Sequence, residues 1–177
     1  MSLSSPRSSP AGPGGSPAPA RLIVIDPALL DVLPADVEGN TLVESPEAET
    51  ENVSDPGLSR DVGRVAVAFV ANADATNWAV VSVSALRPGT WSDAFYRDWR
   101  TTYDEAACAR SGGVARHAEA TIAAHPVAIG TCANGVTTYH VHLEQGDLVV
   151  SMSALGERRY GEQLVAGLRP DRYSPSP

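Results

Sequence analysis

The chain has 177 residues, a formal net charge of −8 and an apolar fraction of 43%. This length suits one domain with a single apolar core once a polar leader is subtracted. The negative charge argues against nucleic acid and anionic membrane surfaces as partners, because both select for a basic surface. All thirteen basic residues are Arg, which is the usage that a GC-rich genome favours.

The N-terminal leader, residues 1–21, is dominated by small and turn-forming residues. Fourteen of the first twenty residues are Ser, Pro or Gly, a composition typical of a flexible tether. No stretch approaches the roughly 18 apolar residues of a membrane span, and no signal-peptide pattern is present. We interpret the leader as the region that follows a cleaved signal or a lipid-modified cysteine upstream. A disordered cytoplasmic N-terminus is the alternative.

The first part of the domain contains helical turns and short extended segments. Leu22–Ile25 is predicted to be an edge strand or the anchor of the tether, and Asp26 caps a turn that starts with Pro27. A second short helix starts at Asp55-Pro56. Leu42-Val43 is a candidate strand. The segment from Glu44 to Glu51, rich in Glu and poor in apolar residues, is predicted to be an exposed loop.

A β-hairpin and a long helix follow. Val65–Phe69 fits both a helical stripe and a strand, but its β-branched content and the preceding Gly63 favour a hairpin with Trp78–Val83. Ser92 or Asp93 caps a helix over residues 93–109. One face of this helix carries most of the aromatic residues of the domain. Its members are Phe95, Trp99, Thr102, Tyr103 and Ala106.

The last part of the domain is predicted to be a four-stranded meander and a helix. The meander strands are residues 116–122, 127–132, 139–144 and 148–153, with Asn134-Gly135 supplying a hairpin turn. The helix, about residues 157–168, is expected to cover their apolar face. The predicted fold is therefore α+β. It has an antiparallel sheet of about six strands, a hairpin plus the meander, covered by two main helices, with short N-terminal helical turns. The domain spans residues 22–169, and a polar tail spans 170–177.

The two cysteines allow one disulfide. Cys108 falls at the predicted end of the long helix and Cys132 at the end of a strand, so both lie beside turns. A bridge between them closes a loop of about 25 residues and stabilises the fold by about 3.5 kcal/mol in the chain-entropy model. Two buried free thiols are the alternative. The leader favours the bridge.

The strongest candidate for chemistry is the pair His140 and His142. Residues i and i+2 of a strand project from one face, so both imidazoles could bind one metal ion, with His117 or His125 as a third ligand. The alternative is a pair that is solvated or hydrogen-bonded under a helix. The chain contains no nucleophile elbow, no Cys-x-x-Cys and no phosphate-binding Gly-rich loop, and we predict no cofactor.

Charged side chains on the helices offer further candidates. Asp93, Asp98, Asp104 and Glu105 are interpreted as a solvated face of the long helix. Arg158 and Arg159 precede the last helix, where a positive charge opposes the helix dipole. They are expected to pair with carboxylates of the long helix or to contact an acidic ligand or partner.

A resemblance covers three segments, Leu33–Gly39, Trp91–Gly113 and Ile129–Leu168, and includes the phrases IGTCANGVTTYHVHL and LGERRYGEQLVAGLRP. In these segments the chain resembles uncharacterised bacterial lipoproteins and secreted proteins of GC-rich lineages. The order of elements also looks like the Mog1/PsbP/LpqN-type α/β sandwich, whose members mostly bind partners or act as assembly factors. The resemblance implies a binding role and supplies no catalytic motif.

These observations predict a non-enzymatic extracytoplasmic domain, tethered through its leader, that binds a partner protein or a small ligand. The alternative is a metal-binding protein or a metal-dependent enzyme that uses His140 and His142. An apolar or aromatic cleft in the folded domain favours the first hypothesis.

Overall fold

The structure is a computed structural model that describes residues 22–173. The predicted leader and residues 174–177 of the predicted tail lie outside the described residues. The strands are β1 (Val24–Ile25), β2 (Asp36–Val37), β3 (Asn40–Thr41), β4 (Val43–Glu44), β5 (Val62–Ala71), β6 (Trp78–Leu86), β7 (Val114–Ile122), β8 (His125–Cys132), β9 (Thr137–Leu143) and β10 (Leu148–Leu155). The α-helices are α1 (Pro46–Val53), α2 (Pro56–Asp61), α3 (Asp93–Cys108) and α4 (Tyr160–Ala166). Two 3-10 helices cover Pro27–Val32 and Pro170–Arg172.

Eight strands form one sheet in the order β1-β5-β6-β10-β9-β8-β7, with β4 also paired to β5. The predicted hairpin is β5–β6 and the predicted meander is β7 to β10, and all of these neighbours are antiparallel. The α+β class is thus confirmed. The sheet is larger than the predicted six strands because β5, with ten residues, accepts two short strands along its outer edge. One of them, β1, runs parallel to β5.

The two faces of the sheet carry different side chains because successive residues of a strand point to opposite sides. One face is apolar and is covered by α4 and the first 3-10 helix. Its core includes Val81, Val141, Val150, Met152, Tyr160 and Leu164. The other face is covered by α1, α2 and α3 and combines a smaller apolar cluster with a polar stripe. The predicted covering role of the last helix is confirmed, although this helix begins at Tyr160.

The prediction of an exposed loop at Glu44–Glu51 is wrong. Residues 46–53 form α1, which starts with Pro46 and has Glu47 and Glu49 in its first turn, where carboxylates favour the positive end of the helix dipole. Glu49 is buried, and its Oε1 accepts a hydrogen bond of 3.1 Å from the backbone N–H of Val67. The high Glu content therefore marked a helix start rather than a loop.

Two local features fix the long helix. The hydroxyl of Ser92 accepts a hydrogen bond from the backbone N–H of Phe95, which confirms Ser92 as the N-cap. At the other end, Cys108 and Cys132 are joined by the predicted disulfide, with their Cα atoms 5.2 Å apart. The helix is thereby bound covalently to the end of β8. None of the helices within residues 22–173 is long and apolar enough to cross a membrane.

Candidate functional site

A polar stripe runs across the sheet beneath α3. Alternate residues of β9 and β10 point away from the apolar core, and these include Thr138, His140 and Ser151, all of which are buried. A strand pattern with polar residues on one face normally indicates a solvated surface. Here α3 covers that surface. Its side chains supply the hydrogen-bonding partners that the buried polar groups require.

Asp104 of α3 is the centre of the resulting network. One carboxylate oxygen lies 2.9 Å from Nε2 of His140 and accepts a hydrogen bond from the hydroxyl of Thr138. The other oxygen lies 3.0 Å from Nε2 of His117. Asp104 itself is only 2% exposed. A single helix side chain therefore bonds to three side chains on two strands, β9 and β7.

The network continues through His140 to Trp99. Nδ1 of His140 lies 2.9 Å from the hydroxyl of Ser151, which accepts a 2.9 Å hydrogen bond from the indole N–H of Trp99. A carboxylate can only accept, so Nε2 of His140 carries the proton directed at Asp104, and the Ser151 hydroxyl donates to Nδ1. Every polar side chain in this series of hydrogen bonds, from Trp99 to Asp104, therefore has a hydrogen-bonding partner. The network anchors α3 to β9 and β10.

Burial and hydrogen bonding act in opposite directions on Asp104. Burial alone raises the pKa of this carboxyl, whereas the hydrogen bonds from His140 and Thr138 lower it, as do the positive charges that His140 and His117 carry when they are protonated. The lowering prevails, so the pKa lies below its ordinary value of 3.8. Asp104 is thus ionised in the folded protein near neutral pH. This charge strengthens the hydrogen bonds that it accepts.

The close approach of α3 to the sheet depends on Gly130. A Cβ atom on Gly130 would lie 2.7 Å from Oδ2 of Asp104 and would also collide with the Thr138 hydroxyl. The backbone N–H of Gly130 donates instead to that hydroxyl at 3.1 Å. Glycine at this strand position therefore leaves room for the carboxylate.

The serine, histidine and aspartate of this network are the residue types of a hydrolytic triad, but their arrangement serves a different purpose. Ser151 has no exposed surface, and its oxygen already accepts the Trp99 N–H. A nucleophile needs a hydroxyl that substrate can reach. As arranged, the Ser151 hydroxyl cannot meet a substrate, so the three residues hold the helix in place.

Beside the network, a cleft separates α3 from α1 and α2. Its volume is about 460 Å³. Trp99 and Tyr103 belong to its wall on α3 and also border the buried network, since Tyr103 packs edge-on against His140 with ring centroids 5.1 Å apart. Burial raises the pKa of Tyr103 to about 12, so its hydroxyl stays protonated at neutral pH. The other principal lining residues are Phe95 of α3, Leu58 of α2, Asn52 of α1 and Ser82 of β6.

The rim of the cleft is acidic. It carries Asp55, Asp61 and Asp98, against the one guanidinium of Arg60. Arg60 pairs with its neighbour Asp61 at 2.8 Å. Asp98 is exposed and has no ion-pair partner within residues 22–173. A ligand in the apolar cleft would therefore meet a net negative charge at its mouth.

A larger depression of about 570 Å³ lies on the opposite face of the sheet, between the first 3-10 helix and β4. Leu30, Leu33, Pro34 and Leu42 line it, without an aromatic ring or a buried polar network. The cleft beside α3 combines aromatic walls with a few fixed polar groups, which is the composition typical of ligand sites. We therefore take it as the candidate site.

The structure places the two proposed metal ligands, His140 and His142, against different carboxylates. Nε2 of His140 bonds to Asp104, whereas Nε2 of His142 lies 3.0 Å from Asp147. The ring of His142 stacks on Trp91, with centroids 3.4 Å apart. Within residues 22–173 no group of three or more His, Cys, Asp or Glu side chains is arranged to hold a metal ion.

Of the two further histidines named as a third ligand, the structure joins only one to the network. His117 reaches Asp104 from β7 and keeps 60% of its side chain exposed. His125 is the first residue of β8, at the opposite end of the β7–β8 hairpin turn from Ile122.

Arg158 and Arg159 pair with carboxylates, but not with those of the long helix. Arg158 Nη1 lies 2.7 Å from Glu38, in the β2–β3 turn, and Arg159 lies 3.5 Å from Glu162 of α4. The expectation of partners on α3 is therefore wrong. The fold places the β2–β3 hairpin beside α4, so the guanidinium of Arg158 pairs with the carboxylate of Glu38 instead of one on α3.

Asp104 is the main site residue that sequence reasoning missed, because it was grouped with solvated carboxylates. A signal was present. Cys108, buried and bridged to the sheet, lies one helical turn after Asp104, so both side chains share the face directed at the strands.

Comparison with known proteins found no match: neither a protein-family model, nor a curated protein, nor a solved structure matches this chain.

Proposed function

We propose that the protein is a non-enzymatic binding domain whose ligand occupies the cleft between α3 and the α1–α2 pair. One observation carries this proposal. The cleft is lined by half-buried aromatic rings on a helix that a fully hydrogen-bonded network and a disulfide hold in place. A rigid, preformed apolar site lowers the entropic cost of binding.

The chemistry of the cleft defines the ligand class. Rings of Phe95, Trp99 and Tyr103 favour a flat aromatic or branched apolar body, and the rim carboxylates of Asp55 and Asp98 favour a cationic group attached to it. A free small molecule and a side chain of a partner protein could both supply this combination. In either case we infer a ligand with an apolar body and a positive charge.

We also propose that the domain works outside the cytoplasm, tethered through its leader. The disulfide supports this location because bridges persist in oxidising compartments. The Ser/Pro/Gly-rich composition of residues 1–21 supports the tether. A lipid anchor upstream of the leader belongs to the same proposal.

Indole N–H resonances provide a direct test of the cleft. The chain has three tryptophans, and only Trp99 lines the cleft. We expect 2-naphthylmethylamine, which is cationic at neutral pH, to shift the indole signal of Trp99 and to leave those of Trp78 and Trp91 in place. The matched anion 2-naphthoate is expected to bind more weakly, because the rim repels it.

A matched pair of variants locates the binding site. Ala106→Phe places a ring in the cleft and is expected to abolish the shift of the Trp99 signal, whereas Ala94→Phe, on the same helix but outside the cleft, is expected to preserve it. If neither probe moves the Trp99 signal, the cleft is not the site. Equal affinity for both probes would contradict the role of the acidic rim.

A further inference from the structure

The two edges of the main sheet differ in whether short strands cover them. The edge formed by β5 is covered by β1 and β4, which contribute two residues each. The other edge is β7, a strand of nine residues. Seven successive residues of β7, Ala115 to Thr121, are exposed. Natural sheets usually protect such an edge with proline, lysine or a mid-strand bulge.

From Arg116 to Ile122, β7 carries two charged side chains but has no proline, no lysine and no bulge. Its irregularity in register falls at its first residues, between Val114 and Arg116. In an antiparallel ladder, alternate residues direct their N–H and C=O groups to one neighbour, so half of the backbone groups of β7 face outward. An exposed strand of this kind can accept another strand.

The two-residue turn at the end of β7 identifies the outward-facing groups. Ala123 and Ala124 join Ile122 to His125, which form a hydrogen-bonded pair in a hairpin of this length. Counting back in steps of two as far as Arg116, where the register shifts, even-numbered residues bond to β8. The outward groups therefore belong to Thr121, Glu119 and His117.

We propose that the occupant of this edge is a second copy of the same chain, paired antiparallel through β7 about a two-fold axis at Ala118. Only registers that align outward-facing residues with each other are possible. Among these, the register centred on Ala118 pairs the regular segment 116–120 with the same segment of the second copy. A closed two-fold pair of this kind also protects both edges at once.

Side-chain charge supports the same register. With Ala118 opposite its copy, Glu119, which pairs with Arg100 at 3.4 Å, lies opposite His117 of the second chain, so the two Glu119 carboxylates do not face each other. A shift of the centre to residue 119 places the two Glu119 carboxylates directly opposite each other, and like charges in that position destabilise a strand pair. A shift of the centre to residue 117 pairs less of the regular part of the strand. The register centred on Ala118 therefore avoids the contact between like charges.

The opposite side of β7 adds no obstacle to this pairing. There Arg116 lies opposite Ala120 of the second copy, and two alanines meet at the axis. These side chains are exposed in the single chain. The cleft proposed as the ligand site lies between α1–α2 and α3, away from β7. Dimerisation therefore leaves that cleft open, and its test is independent of ligand binding.

Cysteine substitution tests the position of the axis. Ala118→Cys places two thiols opposite each other at the axis, within the Cα separation that a disulfide requires. Ala120→Cys is the matched control, since the two copies of residue 120 are separated by about 13 Å along the strands. Under mild oxidation of the full chain, we expect a covalent dimer from Ala118→Cys and little from Ala120→Cys.

Sedimentation of the unmodified chain over a wide concentration range completes the test. We expect a reversible dimer whose dissociation constant rises at least about tenfold in Ala118→Glu, because two carboxylates then meet at the axis. Near-UV circular dichroism checks that this exposed substitution leaves the fold intact. A monomer at every concentration, equal cross-linking of both cysteine variants, or a dimer that Ala118→Glu does not weaken would overturn the proposal.

Discussion

Asp104 shows how one buried carboxylate can determine the placement of a helix. It receives hydrogen bonds from His140 and Thr138 of β9 and from His117 of β7. Of these donors, His140 and Thr138 have no exposed surface. A buried donor that loses its acceptor costs about 1–3 kcal/mol, and more when the acceptor is charged.

We predict that Asp104→Ala lowers the free energy of unfolding by about 3–5 kcal/mol, because it leaves buried donors of His140 and Thr138 unpaired. Urea denaturation at neutral pH measures this loss. Asp98→Ala, on the exposed side of the same helix, is the control and should change stability by less than about 0.5 kcal/mol. A loss below about 1 kcal/mol for Asp104→Ala would contradict the role assigned to the network.

The difference in the free energy of unfolding between the unmodified protein and Asp104→Ala should depend on pH in one direction. The pKa of Asp104 in the folded protein lies below the ordinary value of 3.8, so its ionised form is favoured by folding. Its contribution is therefore fully present above pH 3.8 and is lost as the pH falls through the folded pKa. The stability gap between the unmodified protein and Asp104→Ala should accordingly narrow in acid.

At the scale of elements, the β7–β8 hairpin contains an unfavourable turn. Ala123 and Ala124 have φ angles of +48° and +72°, in the left-handed region that disfavours any residue with a Cβ. A two-residue hairpin of this type normally uses Asn-Gly. The strain is retained in a turn that ends the exposed edge strand.

We predict that the double substitution Ala123→Asn and Ala124→Gly raises the free energy of unfolding by about 1 kcal/mol, since relief of the left-handed strain exceeds the added flexibility of glycine in the unfolded chain. Thermal and urea denaturation provide the measurement. Ala109→Gly is a control that should lower the free energy of unfolding. Ala109 has helical φ and ψ angles of −54° and −40°, at which glycine is less favourable than alanine. A double variant that is less stable than the unmodified protein would refute the strain argument.

At the scale of the whole molecule, the disulfide joins the two layers that form the site. It ties the end of α3 to the end of β8, while Ser92 caps the other end of the helix. Between these two points, the helix presents Asp104 to the sheet and its aromatic rings to the cleft. Covalent closure and buried hydrogen bonds therefore act on the same helix.

We predict that replacement of both Cys108 and Cys132 by Ala lowers the free energy of unfolding by about 3.5 kcal/mol, the cost expected for opening a loop of this size. Denaturant titration measures the loss. Titration of thiols in denatured, unreduced protein should find none in the unmodified chain. Two free thiols, or a double variant within about 1 kcal/mol of the unmodified protein, would count against the bridge.

Local chemistry was sufficient to predict most elements of the fold. Ser92 identified the start of α3, Asn134-Gly135 the turn between β8 and β9, and alternating residues the four strands of the meander. These signals act between neighbours in the chain, so tertiary context did not alter them. The short strands β1 and β4 overlap the segments Leu22–Ile25 and Leu42-Val43, which were predicted only as candidates, because two residues carry no periodicity and their pairing with β5 depends on distant backbone.

The sequence by itself determined the class of the fold, the cysteine pair and the apolar face that α4 covers. It could not decide what contacts the polar face of the sheet, because the pattern around His140 suits water, a metal ion or a covering helix equally well. Only the tertiary structure brought Asp104, 36 residues away, to His140 and made that face a buried network. The reason is physical: a polar group is satisfied by whichever partner the folded chain places beside it, and that partner need not be near in sequence.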